Sequence, residues 1–232
     1  DAAPPTSWEF RTGADGAGRR CGDDPYTPDE LWIRAAYQDV LGRTADAAGL
    51  ETWTYGRDRG VSTGRLASNL VGSLESRGHL ADRLYLEVLG RPAEPEGRTY
   101  WAERLRTEGP DAVRAYLFNR HESTSRFDDS EGFVAGLYDI LLGRPASEAE
   151  VDYWSTELSY GRISRGNATK RLLASPEGLS RHVGAVYEDL LGRDPGAGEI
   201  DYWMSRVKVH GERYLVRQVI ASAEYYARSQ ED

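Results

Sequence analysis

The sequence predicts an all-α protein built from four tandem three-helix repeats, and it leaves open whether these repeats form two pairs. The first observation is a tripeptide, Leu-Gly-Arg, that occurs four times, with its glycine five residues after a tyrosine. The second is a tryptophan sixteen residues after each of these tyrosines. The tyrosines are Tyr37, Tyr85, Tyr138 and Tyr187, and the tryptophans are Trp53, Trp101, Trp154 and Trp203. Landmarks that recur together roughly every fifty residues indicate a helical repeat array.

The landmarks divide the 232-residue chain into a leader and four repeats. Residues 1–26 are rich in glycine and proline and lack a helical period, so a flexible or loosely docked leader is expected there. The repeats then cover residues 27–78, 79–126, 127–180 and 181–232. An interruption at residues 127–130 lengthens the middle interval, and it is the expected divide between two pairs of repeats.

The first helix of each repeat is predicted to end at the Leu-Gly-Arg glycine. In the fourth repeat, the apolar residues that share one helical face are Val183, Val186, Tyr187, Leu190 and Leu191. A glycine directly after such a face supplies the left-handed residue that ends many helices. The four glycines are Gly42, Gly90, Gly143 and Gly192.

The second helix carries the tryptophan, and the third leads to a recurring Ser-x-Glu element. Ser147 and Glu150 have the spacing of a capping box, which predicts the start of a second helix. The third helices are expected to begin near Ser62, Asp111, Ser164 and Gly211. They are expected to close in Ser73-Leu74-Glu75, Arg120-His121-Glu122, Ser175-Pro176-Glu177 and Ser222-Ala223-Glu224.

With this pattern of Tyr, Leu-Gly-Arg, Tyr-Trp, Gly and Ser-x-Glu over about residues 31–228, the chain resembles the bacterial repeats catalogued as domain of unknown function 4214. The resemblance implies an exported or cell-surface protein, of a kind often joined to calcium-binding repeats, adhesion modules or sugar-active enzymes. It also implies a likeness to the helical linker domains of phycobilisomes. No catalytic residues are established for that family, so the resemblance assigns none. The Asp-x-x-Gly element of the pattern is intact only at Asp46 and Gly49, which argues against a ligand role that needs it in every copy.

Composition disfavours several functional classes. The formal net charge of −9 would repel phosphate backbones, so nucleic acid is not an expected partner. No apolar run reaches the length of a membrane span. The four histidines and the single Cys21 lack the spacing of metal ligands, and no motif of a catalytic nucleophile or phosphate loop occurs. We therefore expect no metal, no cofactor and no catalysis.

The recurring aromatic residues are interpreted as core, because they lie on apolar helical faces. An aromatic ladder that stacks on sugar rings is the alternative. The tyrosines beside the tryptophans are expected to be more exposed and are the candidate ligand-contacting residues: Tyr100, Tyr153 and Tyr202. The arginines of Leu-Gly-Arg could bind anions, but we favour a structural contact with a carboxylate such as Glu75 or Glu177. These arginines are Arg43, Arg91, Arg144 and Arg193.

The functional expectation is a non-catalytic extracellular module for protein interaction or cell-surface scaffolding, with a protein or a cell-surface polymer as its partner. The alternative is a glycan-binding module that uses exposed tyrosine and tryptophan edges. An enzyme of unknown chemistry is the third hypothesis. The first residues, Asp1-Ala2-Ala3-Pro4, resemble the cut end of an exported protein, in keeping with an extracellular location.

Overall fold

Helices account for all the regular secondary structure in the part of the chain that the computed structural model describes, residues 26–120, 123, 126–127 and 129–231. Thirteen helices and no strand are formed by these residues, which confirms the all-α prediction. The predicted leader, apart from Tyr26, lies outside the described residues, and so does Cys21. No helix formed by the described residues combines the length and the apolar character that a membrane crossing requires.

The helices are α1 (Pro28–Leu41), α2 (Ala47–Asp58), α3 (Thr63–Gly72), α4 (Leu74–Leu89), α5 (Pro95–Thr107), α6 (Pro110–Phe118), α7 (Ser130–Leu142), α8 (Glu148–Ser159), α9 (Arg165–Leu173), α10 (Pro176–Leu191), α11 (Ala197–His210), α12 (Glu212–Ile220) and α13 (Ala223–Arg228).

The Leu-Gly-Arg glycines end four of these helices. Helices α1, α4, α7 and α10 each stop at a glycine whose φ lies between 66° and 75°. Residues with a side chain rarely adopt this left-handed conformation, whereas glycine adopts it without steric cost. The chain can therefore turn sharply towards the helix that carries the tryptophan.

In the first, third and fourth repeats the Ser-x-Glu element begins a helix, so the predicted ends of those third helices are wrong. In the second repeat, His121 and Glu122 lie outside the described residues. Helix α3 ends at Gly72, and Ser73 is the N-cap of α4, where its hydroxyl accepts a hydrogen bond from the Ser76 amide at 3.0 Å. Ser175 and Ser222 cap α10 and α13 in the same way. Serine is a favoured N-cap because its oxygen satisfies an otherwise unpaired amide in the first turn. The predicted repeat boundaries at 78/79 and 180/181 thus fall inside α4 and α10.

Two hydrophobic cores organise the helices. The first core joins α1 and α3, from the start of the described chain, to α10, α11, α12 and α13 at its end. The second core is built by α4 to α9. The central contacts pair α3 with α12 and α6 with α9. The two cores therefore combine the outermost helices with each other and the middle helices with each other.

The expected divide between two pairs of repeats, at residues 127–130, falls between helices that share the second core. Phe127 is buried in the second core. Its ring centroid lies 6.3 Å from that of Phe118 in α6 and 6.0 Å from that of Phe133 in α7. Phe127 therefore packs between α6 and α7 within one core.

Polar contacts close the seam between the two ends of the described chain. The Trp32 indole donates to the carbonyl of Ile220 at 3.0 Å, and the Tyr225 hydroxyl donates to Asp39 at 2.7 Å. The Gln230 amide donates to the carbonyl of Pro28 at 3.2 Å. Since Trp32 and Tyr225 are almost fully buried, these bonds satisfy polar atoms that water could not reach.

Candidate functional site

The tyrosine and tryptophan landmarks form four hydrogen-bonded pairs. Each indole Nε1–H donates to the hydroxyl of the tyrosine sixteen residues earlier, at 2.7, 2.6, 3.0 and 2.7 Å for Trp53–Tyr37, Trp101–Tyr85, Trp154–Tyr138 and Trp203–Tyr187. The four tyrosines are buried; Trp101 is buried, and the other three tryptophans are half-buried. An indole can only donate, so the tyrosine hydroxyl is a suitable acceptor away from water. Each hydrogen bond joins the helix that carries the tryptophan to the helix before it.

The Leu-Gly-Arg arginines form the polar counterpart of these pairs. Arg144 makes a two-point salt bridge to Glu177, with N–O distances of 2.5 and 2.8 Å, and a second one to Glu150 at 2.8 and 3.0 Å. Its guanidinium also lies 5.0 Å from the ring centroid of Tyr138. The same set surrounds Arg193, namely Glu224, Glu199 and Tyr187. Arg43 contacts Glu75, Asp46 and Tyr37 in the corresponding way.

An acid at the start of the tryptophan helix reaches the arginine in each of the four places, although its position in the sequence differs. Asp46 and Glu94 are N-cap residues, and they lie 3.3 and 2.8 Å from Arg43 and Arg91. Glu150 stands three residues inside its helix instead. Glu199 occupies the equivalent position in α11, where it also accepts from the Gly196 amide at 2.8 Å. The Asp-x-x-Gly pattern therefore does not reveal the contact between the arginine and this acid, because the acid stands at different positions in the four helices.

These contacts lower the pKa values of the carboxyl groups. Hydrogen bonds from Arg144 and from the Ser147 amide lower the pKa of Glu150 to about 2. Hydrogen bonds from Arg193 and the Gly196 amide lower the pKa of Glu199 to about 2. The pKa of Glu177 also falls below its ordinary value, chiefly through its hydrogen bonds from Arg144. Arg43, Arg144 and Arg193 thus each face two carboxylates, an arrangement that would oppose the binding of a further anion.

Next to each Leu-Gly-Arg glycine lies a side chain that the sequence analysis did not single out. Its position, four residues after the Ser-x-Glu glutamate or its equivalent, is occupied by His79, Arg126, Arg181 and Arg228. Arg126 donates to the carbonyl of Val88 at 2.7 Å, and Arg228 donates to that of Leu190. These side chains satisfy carbonyls at the ends of α4 and α10, which lack partners within the helix. The sequence did contain a signal for these residues, namely their constant spacing of four residues from the glutamate.

The candidate ligand-contacting tyrosines are exposed. Tyr100, Tyr153 and Tyr202 expose 52%, 54% and 47% of their surface, and each meets its neighbouring tryptophan edge-on. The guanidinium of Arg206 covers the ring of Tyr202 at 3.4 Å, and Arg104 donates to the hydroxyl of Tyr100 at 2.6 Å. Within the described residues no guanidinium stacks on Tyr153, so its ring is the most open of the three.

A cluster of partly buried charged side chains links the two cores. Arg114 in α6 lies 3.0 Å from Glu87 in α4 and 3.0 Å from Glu212 in α12. His182 in α10 lies 3.8 Å from the other oxygen of Glu212. Burial alone would raise the pKa of Glu212, but His182 and Arg114 lower it to about 2. Charged groups with little access to water require oppositely charged partners, so the cluster connects α4, α6, α10 and α12.

The described residues contain no group of three or more His, Cys, Asp or Glu side chains that could hold a metal ion. A groove of about 360 Å³ does open at the seam between α1 and α13. Its walls carry aromatic, charged and amide side chains, and it is a second place where a ligand could bind.

The geometry defines a helical protein whose recurrent polar groups hold helices together. Residues 113–182, from Val113 in α6 to His182 in α10, match the family described as Domain of unknown function (DUF4214). No curated protein and no solved structure matches the chain.

Proposed function

We propose that the chain is a non-catalytic extracellular module of four tandem three-helix repeats that binds a protein or a cell-surface polymer. The observation that carries the proposal is the use of the recurrent polar groups. The tyrosines and tryptophans bond each other, and Arg43, Arg144 and Arg193 face carboxylates of neighbouring helices. Groups used in this way build a framework, so partner binding would rely on side chains that face outward.

The junctions favour a tandem assembly. At two junctions between repeats the Leu-Gly-Arg arginine bonds the glutamate in the first turn of a following helix, Glu75 in α4 and Glu177 in α10, and at the last described junction α13 supplies that glutamate, Glu224. Helix α13 would thus act as the first turns of a fifth unit that covers the fourth. We further propose that the four repeats are similar in fold and in role to the helical linker domains of phycobilisomes, which are scaffolding elements.

The outward-facing side chains that we assign to partner binding are Tyr100, Tyr153 and Tyr202. Tyrosine edges are favourable in interfaces, because a rigid ring adds contact area at a small loss of conformational freedom. Each ring is supported by the tryptophan beside it. A partner could therefore be bound without rearrangement of the framework.

Binding to purified bacterial envelopes tests the proposal. The triple variant Tyr100→Ala, Tyr153→Ala and Tyr202→Ala should keep the wild-type melting temperature and lose binding at least tenfold. The control is Tyr55→Ala with Tyr160→Ala, which removes two rings that are 57% and 72% exposed but lie elsewhere. Equal envelope binding by both variants and the wild type would contradict the assignment of partner binding to Tyr100, Tyr153 and Tyr202.

Glycan binding by the same tyrosines is the second candidate, and the open ring of Tyr153 favours it. A sugar ring can stack on an aromatic face that no guanidinium covers. Binding of purified envelope glycans that is lost in Tyr153→Ala alone would favour this candidate. Binding that resists glycan removal from the envelopes but is abolished by protease treatment would favour a protein partner.

A further inference from the structure

Six tyrosine rings are exposed among the described residues, and five of them lie against an arginine of the same chain. The guanidinium carbons of these arginines lie between 3.4 and 5.6 Å from the ring centroids. The face of an aromatic ring attracts a cation, so each of these rings is occupied from within the molecule. The pairs are Tyr55–Arg59, Tyr100–Arg104, Tyr116–Arg104, Tyr160–Arg162 and Tyr202–Arg206. The exception within the described part of the chain is Tyr153, which exposes 54% of its surface.

The residue four positions after the tyrosine explains this difference. Residues at that spacing share one face of a helix. In α5 and α11 an arginine stands there, Arg104 and Arg206, whereas α8 has Glu157. Glu157 bonds Arg162 at 2.9 Å, and the Arg162 guanidinium covers the ring of Tyr160 instead. The neighbouring position on α8 therefore supplies no cation to the open ring.

The charges on α8 are all negative. This helix contains four acids and no basic residue, whereas α2, α5 and α11 each contain at least one arginine. Glu150 and Glu157 are paired with arginines. Asp152 and Glu148, one and five residues before Tyr153, are exposed and form no ion pair among the described residues. The surroundings of the open ring should therefore attract a cation and repel an anion.

We propose that Tyr153 accepts an arginine side chain of a protein partner, which supplies the cation that α5 and α11 supply within the chain. This inference rests on the proposed function and specifies the chemistry of the partner. A planar guanidinium stacks on an aromatic face, whereas the ammonium of lysine is a compact and strongly hydrated charge. The ring is already held edge-on against Trp154, with centroids 5.1 Å apart, so a partner would find it in place.

A blocked tetra-arginine peptide is the probe for this contact. The readout is the NMR shift of the Tyr153 ring resonance, which is assigned by its absence in Tyr153→Ala. A tetra-lysine peptide has the same charge and controls for general attraction to the net charge of −9. Titration of the full chain should show that the arginine peptide binds at this ring more tightly than the lysine peptide does.

Three variants test the origin of the open ring. Glu157→Arg places an arginine at the spacing found in α5 and α11, where it should cover the ring from within the chain. Glu188→Arg makes the same change of charge on α10 and is the matched control. The arginine peptide should bind Glu157→Arg about two- to fivefold more weakly than Glu188→Arg, which corresponds to an exposed cation–π contact. Glu157→Gln adds no cation and should keep most of the wild-type affinity.

Three results would overturn the proposal. The first is an equal shift of the Tyr153 resonance by the arginine and lysine peptides, or no shift by either. The second is equal affinity of the arginine peptide for Glu157→Arg and Glu188→Arg. The third is a shift caused by a neutral trisaccharide such as maltotriose but not by the arginine peptide, which would favour the glycan-binding candidate.

Envelope binding separates this proposal from the proposed function. Blocking envelope arginines with phenylglyoxal should weaken binding of the wild type more than binding of Tyr153→Ala. Equal weakening of both would show that the partner brings no arginine to this ring. Absence of envelope binding, with the peptide still bound at Tyr153, would overturn the proposed function and leave the preference of the ring for a guanidinium established.

Discussion

Arg144 and Glu177 lie 33 residues apart in the chain, and they form a two-point salt bridge with N–O distances of 2.5 and 2.8 Å. The arginine follows the end of α7, and the glutamate lies in the first turn of α10. A carboxylate in that turn also interacts favourably with the positive end of the helix dipole. This pair joins the end of one long helix to the beginning of the next.

A double-mutant cycle on Arg144→Met and Glu177→Met should give a favourable coupling free energy of modest size, since both side chains remain partly exposed. Urea unfolding of the wild type, both single variants and the double variant measures it. Arg162 and Glu157, an exposed pair five residues apart, provide the control cycle, and it should give a smaller coupling. Equal coupling in the two cycles would show that the junction pair contributes no more than an ordinary surface contact.

Trp154→Ala should lower the free energy of unfolding by about 3 kcal/mol, because it removes a large ring from the second core and leaves the Tyr138 hydroxyl without its donor. Tyr153→Ala, one residue earlier, removes a ring that is 54% exposed and should cost less than about 1 kcal/mol. Chemical denaturation of the two variants gives the comparison. Similar losses of unfolding free energy in the two variants would mean that Trp154 does not stabilise the second core.

Gly42→Ala should destabilise the protein more than Gly60→Ala does. Both glycines have positive φ, 68° and 81°, and alanine should cost about 1–2 kcal/mol at either position for that reason. A Cβ at Gly60 would meet open space, whereas a Cβ at Gly42 would overlap the His79 ring. The additional loss at Gly42 should be about 1–3 kcal/mol. Repeating the measurement in a His79→Ala background should remove most of this extra loss, and an unchanged difference would refute the steric explanation.

Stability should fall in acid partly through Glu150 and Glu199. Their pKa values in the folded protein are about 2, below the ordinary value of 4.5, so the folded state favours their charged form. Their contribution is complete above pH 4.5 and is lost as the pH falls towards 2. The variant Glu150→Gln with Glu199→Gln should therefore lose less stability than the wild type between pH 5 and pH 3. Glu148→Gln, which removes an exposed acid without an ion pair among the described residues, should follow the wild-type curve.

A chain that ends at Ala221 should lose protection of α1 from hydrogen exchange, because this truncation removes Tyr225 and its bond to Asp39. Helix α5 lies in the second core and should keep more of its protection. Exchange followed by mass spectrometry distinguishes the two helices. Unchanged exchange in α1 would mean that α13 does not support the first core, despite its buried tyrosine.

The sequence predicted the helical class, the offsets of the aromatic landmarks and the glycines that end the long helices. Local rules explain this success, since a period of 3.6 residues and a glycine after an apolar face are visible within one helix. The same locality explains the error at Ser-x-Glu. Ser73 adjoins two helices, and sequence spacing alone does not show that it caps the second one.

The candidate site was only partly accessible from the sequence. Tyr153 could be placed beside the tryptophan on an outward face, and its exposure follows from that register. The groove could not be foreseen, because Arg34 and Arg228 are brought together from opposite ends of the described chain. His79 and Arg126 occupy the same position in two repeats, four residues after the glutamate, but their role depends on the helix end that each side chain contacts.

By itself, the sequence determined where most helices form and which residues face inward, because these properties depend on neighbours within a few turns. Tertiary structure decided that α3 packs on α12 and α6 on α9, so that the outermost helices share a core. Similar apolar faces could in principle pack in several combinations, and an apolar stripe does not specify its partner. The choice depends on long-range complementarity, such as Arg114 between Glu87 and Glu212, which exists only once the chain is folded.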